Sequence, residues 1–384
     1  MSTKPSMRQL LYNMAKTDAS DLHLKVGLAP CFRIGGHLTI PPGLEPLTGE
    51  DTERLMKELV PEKLRHRYDE MGDLDFSTYI QVTPLEEGEQ PRPDRFRCNI
   101  FRAGGDMHAA IRRVKPDIPS FESLNLPPIY RRISDESYEG LVLVVGVTGS
   151  GKSTTLACML ERINEVRAEN IITVEDPVEY QLRPVKSIIS QREIGTDIPN
   201  YAEALRYAVR QDPDVIFIGE LRDHDTVLAA VQAAETGHLV FGSLHSADTM
   251  SCWGRIVEFF PQHEHGFIRS ALSNSFRAAC AQRLLPANKE TAGVGVVPAT
   301  EVLLANPSVR ERIREAEDAD LPLIINASTA EGMRSLTQSL AELVEREFVK
   351  LTVALDHAPN REALSARLKG VEVKASKMTG KLRG

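Results

Sequence analysis

Leu141-Val-Leu-Val-Val-Gly-Val-Thr-Gly-Ser-Gly-Lys-Ser-Thr-Thr155 decides how this chain is read. An apolar run ends at Gly146, and after four intervening residues stand Gly151, Lys152 and Ser153. The spacing G-x-x-x-x-G-K-S, behind a buried strand and ahead of a helix, is a phosphate-binding P-loop. Gly146, Gly149 and Gly151 let the backbone aim several N–H groups at one anion. The helix that starts near Lys152 adds its positive amino end. Lys152 brings a full charge for the β and γ phosphates, and the Ser153 hydroxyl is placed to ligate Mg²⁺. Residues Gly146, Val147, Thr148, Gly149, Ser150, Gly151, Lys152, Ser153 and Thr154 are therefore the expected cradle for ATP with Mg²⁺.

Working outward, strands and helices alternate from about Ser134. Asn170-Ile-Ile-Thr-Val-Glu-Asp176 and Asp214-Val-Ile-Phe-Ile-Gly-Glu220 are apolar strands ending in acids, and Gly237 to His245 is a further strand. Tyr201 to Gln211 and Asp225 to Thr236 read as helices, as does His263 to Leu284. Apolar strands alternating with helices predict an α/β domain with a mostly parallel sheet covered on both faces. Ligands in such sheets sit at the carboxyl ends of the strands, where the P-loop and the acids fall. Glu220 fits a Walker B acid facing Mg²⁺ through water. Glu175 directly ends its strand and is the expected base for the attacking water, because a γ-phosphoryl group reacts poorly with neutral water. Asp176 and Glu179 suit supporting contacts in the loop. His238 and His245 flank a strand, and a neutral imidazole there can sense a γ-phosphate or serve only packing.

Upstream, residues up to about 115 read as a smaller α+β domain. Met7 to Lys16 has helical spacing, Leu22, Leu24 and Val26 alternate, and Pro30 to Leu38 forms a hairpin turning at Gly35-Gly36. Thr48 to Tyr68 reads as a helical stretch capped by Thr48 or Asp51, followed by strands near 72–82, 95–102 and 107–114. Pro84 to Asp94 is an acidic, proline-containing loop. Residues 116–133, with Pro116, Pro119, Pro127 and Pro128, suit an extended linker. Arg95, Arg97, Arg102, Arg112 and Arg113 cluster on these strands, and an arginine supplied by a neighbouring subunit can stabilise phosphoryl oxygens. Arg206 and Arg210 lie at i,i+4 beside Asp212 and Asp214, a pattern equally suited to ion pairing.

Composition narrows the function classes. With 42% hydrophobic residues, 26% charged residues and a net charge of −8 over 384 residues, the chain has ample core and lacks the basic balance of a nucleic-acid binder. Its five cysteines are scattered without a C-x-x-C pair, which argues against zinc and suits a reducing compartment. No window approaches ~18 apolar residues, and no signal peptide opens the chain, so a cytoplasmic protein attached to membrane only through partners is expected. Residues 351–384 read as a flexible basic tail.

Four boxes in order resemble a known family: G-V-T-G-S-G-K-S-T-T from Gly146, I-T-V-E-D-P-V-E-Y from Ile172, V-I-F-I-G-E-L-R-D from Val215 and T-G-H-L-V-F-G-S-L-H-S from Thr236. They look like the Walker A, Asp, Walker B and His boxes of type II/IV secretion ATPases. The chain is most similar to the type IV pilus retraction (PilT) family, over roughly residues 5–350. R-F-R-C-N-I-F-R and A-A-I-R-R-V match as well, whereas Asn306 to Glu315 follows the family's carboxyl-terminal element loosely. The resemblance implies a homohexamer with a PAS-like domain over 1–115 and a RecA-like domain over 134–350. It also implies a partner in the inner-membrane pilus platform, peripheral membrane attachment, and a paralogous pilus ATPase as a potential companion. By the same resemblance, Glu175 is the base, Glu220 the Walker B acid, His238 and His245 the sensors, and Arg97 and Arg112 the arginines that reach phosphate.

Overall fold

The computed structural model describes residues 4–71, 73–82, 93–114 and 117–370. The chain divides into two compact units, residues 1–117 with 179–181, and residues 118–178 with 182–384.

The first unit is a six-stranded antiparallel sheet with helices against one face. Helix α1 (Met7–Lys16) starts in a capping box between Ser6 and Gln9 and buries Met7, Leu10, Leu11 and Met14. Strands β1 (Asp21–Leu24), β2 (Cys31–Ile34) and β3 (His37–Thr39) follow, with the β2–β3 hairpin turning at Gly35 and Gly36, both at positive φ. Helix α2 (Gly49–Leu59) is capped by Thr48 and Asp51. The helical stretch expected over Thr48 to Tyr68 is interrupted where Val60 turns extended and Pro61 follows, and α3 spans Arg65–Met71. Strands β4 (Leu74–Ile80), β5 (Asp94–Ala103) and β6 (Asp106–Arg113) complete the order β3-β2-β1-β6-β5-β4. The acidic loop expected at 84–94 falls, except for its last two residues, outside the described residues.

The second unit is a seven-stranded sheet in the order β13-β12-β7-β11-β10-β8-β9. Its elements run α4 (Ile129–Glu136), β7 (Gly140–Val145), α5 (Lys152–Val166), β8 (Asn170–Glu175), β9 (Ile188–Glu193), α6 (Tyr201–Ala208), β10 (Val215–Ile218), α7 (His224–Glu235), β11 (Leu239–Leu244), α8 (Ser251–Val257), α9 (His265–Ser275), β12 (Phe276–Pro286), α10 (Lys289–Ala292) and β13 (Val296–Leu304). Helices α11 (Pro307–Arg314), α12 (Leu321–Ala327), α13 (Leu336–Glu345), α14 (Leu351–His357) and α15 (Arg361–Leu368) close the described chain. All strands but β13 run parallel. Alternation along β7 sends Leu141, Leu143 and Val145 into a core with α7, α8 and α9, and sends Val142 and Val144 into a second core with α4 and α5.

Three expectations are corrected here. Residues 118–133 are not an extended linker: Phe121, Leu126, Ile129, Tyr130 and Ile133 are buried in the α4–α5 core. The helix expected over His263 to Leu284 ends at Ser275, and Phe276–Pro286 is β12, an interior strand whose alanines and Cys280 are fully enclosed. Burial between β7 and β13 overrides the helical preference of an alanine-rich run. Finally, residues 351–368 are not a flexible tail, because α14 and α15 bury Ala354 and Leu364 against α13. Enclosing a leucine contributes about 1.5–3 kcal/mol, which is enough to hold such short helices in place. Residues 371–384 lie outside the described residues.

Candidate active site

Strand β7 is wholly buried and delivers the chain to Gly146 at the carboxyl edge of the sheet. Gly151, the N-cap of α5, takes φ +86°, and a Cβ there would come 3.1 Å from Gln282 Nε2. A left-handed cap against a packed amide admits glycine alone. Gly151 offers α5 no side-chain cap, and the positive amino end of a helix attracts an anion. The Ser150 hydroxyl is buried without a hydrogen-bond partner among the described residues. Lys152 is buried, and its Nζ donates to the carbonyls of Gly146 at 2.9 Å and Val147 at 3.2 Å. Val147, Thr148 and Gly149 are exposed around this core, and Ser153 and Thr154 are half-buried on the first turn of α5. An uncapped helix end, an orphan hydroxyl and a lysine among carbonyls together fit a phosphate chain.

The acids meet this loop along the same edge. Glu175 closes β8, is buried, and accepts from Thr173 Oγ1 at 2.7 Å and Gln191 Nε2 at 3.1 Å on its Oε1. Glu220 stands two residues beyond β10. Its turn is tied to β11, where Ser243 donates to the Gly219 carbonyl at 2.5 Å and accepts Leu221 N–H at 2.9 Å through its own carbonyl. His245, just beyond β11, brings Nε2 within 3.4 Å of Glu220 Oε1. Asp176 pairs with Arg222 at 3.5 Å, and the Arg222 guanidinium lies 5.1 Å from the centre of the Tyr201 ring. Burial, reinforced by the nearby Asp176, Glu220 and Glu175, pushes the Tyr201 hydroxyl above its usual ionisation range. Glu179 is exposed.

Other expected site residues lie elsewhere. His238 precedes β11, at the opposite, amino end of that strand from His245. Its Nδ1 faces the Ala233 carbonyl at 2.9 Å and Thr236 Oγ1 at 3.2 Å, so the ring fastens the end of α7 and takes no part in this edge. Arg97 and Arg112 belong to the first unit, as register partners on β5 and β6. Arg97 is exposed, while Arg112 Nε donates to Asp21 Oδ1 at 2.8 Å. Arg206 and Arg210 are exposed, and among the described residues neither pairs with Asp212 or Asp214; Asp214 accepts Asn170 N–H at 2.8 Å.

One residue of the site lay outside the sequence reading. Gln282 of β12 is buried, donates Nε2 to the Ser150 carbonyl at 2.7 Å and accepts Thr155 Oγ1 at 3.0 Å, which clamps the P-loop to the sheet. Its only signal was a polar residue interrupting an apolar run. Groups of three or more His, Cys, Asp or Glu residues able to hold a metal are absent among the described residues. Likewise no helix among the described residues is long and apolar enough to cross a membrane.

Comparison with known proteins places the chain in a family. Residues 125–349 match the family described as type II/IV secretion system protein. The type IV pilus retraction ATPase PilT of Pseudomonas aeruginosa is 37% identical over 350 residues, 91% of this chain and 97% of its own. The type IV pilus ATPase PilU of the same organism is 34% identical over 361 residues, covering 94% and 91%. A crystal structure of the pilus retraction motor PilT with bound ADP superposes with a TM-score of 0.83 at 37% identity, covering 94% of this chain and 99% of that one. The chain therefore belongs to the type II/IV secretion system protein family, and within it to the PilT family.

Proposed function

We propose that this protein is a subunit of an ATP-hydrolysing motor that drives type IV pilus retraction. One observation carries the reading: the P-loop, Glu175 and Glu220 converge at one sheet edge in a chain matched nearly end to end by the retraction ATPase. Lys152 and the amino end of α5 balance the charge of the β and γ phosphates. Ser153 and Glu220 would hold Mg²⁺, which when bound would supply positive charge beside the phosphate oxygens. Glu175 takes the proton of the attacking water. His245, in contact with Glu220, reports whether the γ-phosphate is present. Arg97 and Arg112 act from a neighbouring subunit of a homohexamer, in which the first unit serves as a PAS-like domain. The ring works in the cytoplasm against a platform protein of the inner membrane, and nucleic acid is not a partner.

The first test is the ATPase rate per subunit across protein concentration, with mass determination and a Glu220→Gln control. Specific activity that rises as rings assemble and collapses in the control supports a composite-site motor. A gene deletion that leaves surface pili without twitching supports retraction, whereas loss of the pili themselves counts against it. Near-equal identity with PilU favours a second reading, a paralogous ATPase working beside a primary motor. In that case a stable ring binds ATP, turns over little alone, and its deletion matters only when the other motor is impaired.

A further inference from the structure

We propose that Gln191 is a positioning residue for Glu175, fixing the carboxylate and the loop that follows it. The proposal rests on the reading of Glu175 as the base. Strand β9 lies at the edge of the sheet, parallel to β8, with Gln191 opposite Thr173 and Glu193 opposite Glu175. Side chains two apart on a strand share a face, so Thr173, Glu175, Gln191 and Glu193 project together.

The hydrogen bonds leave the Gln191 amide one orientation. Its Oε1 accepts the Leu182 N–H at 2.9 Å, and its Nε2 donates to Glu175 Oε1 at 3.1 Å. A backbone N–H can only donate and a carboxylate can only accept, so turning the amide over would set like against like at both ends. Thr173 Oγ1 donates to the same Glu175 oxygen at 2.7 Å. Two donors therefore converge on this one carboxylate oxygen. Glu193, buried, meanwhile accepts the Val178 N–H at 3.3 Å and Thr196 Oγ1 at 3.2 Å. Strand β9 thus grips both ends of the loop after Glu175, at Val178 and at Leu182, and Gln191 ties that loop to the carboxylate.

A donor to the charged carboxylate favours ionisation, and an ionised Glu175 is the form that accepts a proton from water. Removing the donor loosens the carboxylate and makes it hold its proton more firmly. Both effects act on turnover.

The test is steady-state ATPase kinetics of the full-length assembled protein from pH 5.5 to 9, with Gln191→Met, Gln191→Glu and Glu175→Gln beside the parent. Gln191→Met keeps the volume and removes both hydrogen bonds. We expect kcat to fall by about tenfold at pH 7 with KM for ATP within about twofold, and the acid limb of the kcat profile to move to higher pH. Gln191→Glu moves the limb further, because two carboxylates then meet. Gln191→Asn, shorter by one methylene, replaces the Met variant if that one fails to fold and carries the same expected shift. A kcat profile that stays in place, whether activity is normal or the loss is confined to thermal stability, overturns the proposal. Glu175→Gln separates the two ideas: if it turns over normally, the base reading fails and this proposal falls with it. If it is inactive while the Gln191 variants behave as the parent, this proposal alone fails.

Discussion

His245 Nε2 lies 3.4 Å from Glu220 Oε1, and the two residues reach each other from the carboxyl ends of the adjacent parallel strands β11 and β10. The contact joins the residue that would hold Mg²⁺ to the one that would sense the γ-phosphate. Glu220→Gln is expected to keep nucleotide binding and lose at least about 100-fold in kcat. His245→Ala should lower kcat by about tenfold with a small change in KM. Initial-rate kinetics alongside a fluorescent-nucleotide titration check both.

Lys152 Nζ sits on the carbonyls of Gly146 and Val147 inside the loop it serves. Lys152→Ala removes the one buried positive side chain from that loop, and nucleotide affinity should fall by roughly 100-fold, about 2.7 kcal/mol. Calorimetric titration with ADP measures this without dependence on turnover.

His238 is expected to act through stability. His238→Phe loses the bond to the Ala233 carbonyl and should cost about 1 kcal/mol. His238→Asn offers an amide donor in the same region and should recover much of that loss, with ATPase activity per subunit within about twofold of the parent. A chemical denaturation series on both variants, beside their rates, checks the assignment.

Arg97 and Arg112 face each other across β5 and β6, with Asp21 holding Arg112. If they complete a neighbour's site, Arg112→Ala and Arg97→Ala each lower kcat by at least about tenfold while nucleotide binding and ring mass persist. Mixing Arg112→Ala subunits with Glu220→Gln subunits should restore part of the activity, because some composite sites then carry both intact halves. No recovery over a range of mixing ratios rejects action between subunits.

Asp51 gives the first unit an acid-sensitive joint. Chiefly the Lys4 ammonium, with help from the Thr48 N–H and hydroxyl and against the effect of burial, holds its carboxyl at about 2. The folded value lies below the unfolded one, so the stabilisation is complete above the unfolded value of about 3.9 and is lost as pH falls through about 2. Asp51→Asn weakens both the ion pair and the cap and should cost about 1 kcal/mol at pH 7. The stability gap between parent and variant should be widest above pH ~4 and close toward pH ~2, read by thermal unfolding across that range.

Much of the candidate site could be placed from the chain because its residues are close neighbours in sequence or end a strand. A P-loop is a local device: Gly149 and Gly151, at φ of +79° and +86°, and the helix start at Lys152 follow from adjacent residue types. Glu175 and Glu220 could be placed because an acid that ends or closely follows an apolar parallel strand must emerge at the ligand edge. His238 and His245 looked alike in sequence, each beside the same strand, yet a strand has two ends and only one of them carries the site.

What the sequence determined by itself was the α/β class, the nucleotide loop and the acids aimed at it, since these depend on periodicity and on neighbours within a few residues. Tertiary structure alone decided the rest. Phe276–Pro286 became a strand because it is enclosed between β7 and β13, and no local preference encodes that burial. Residues 351–368 became helices because Ala354 and Leu364 found a core against α13. Gln191 and Gln282 acquired their tasks from partners up to 132 positions away, at Leu182 and Glu175 for the one and at Ser150 and Thr155 for the other. An amide on a strand has no task until folding decides which donors and acceptors come within hydrogen-bond reach of it.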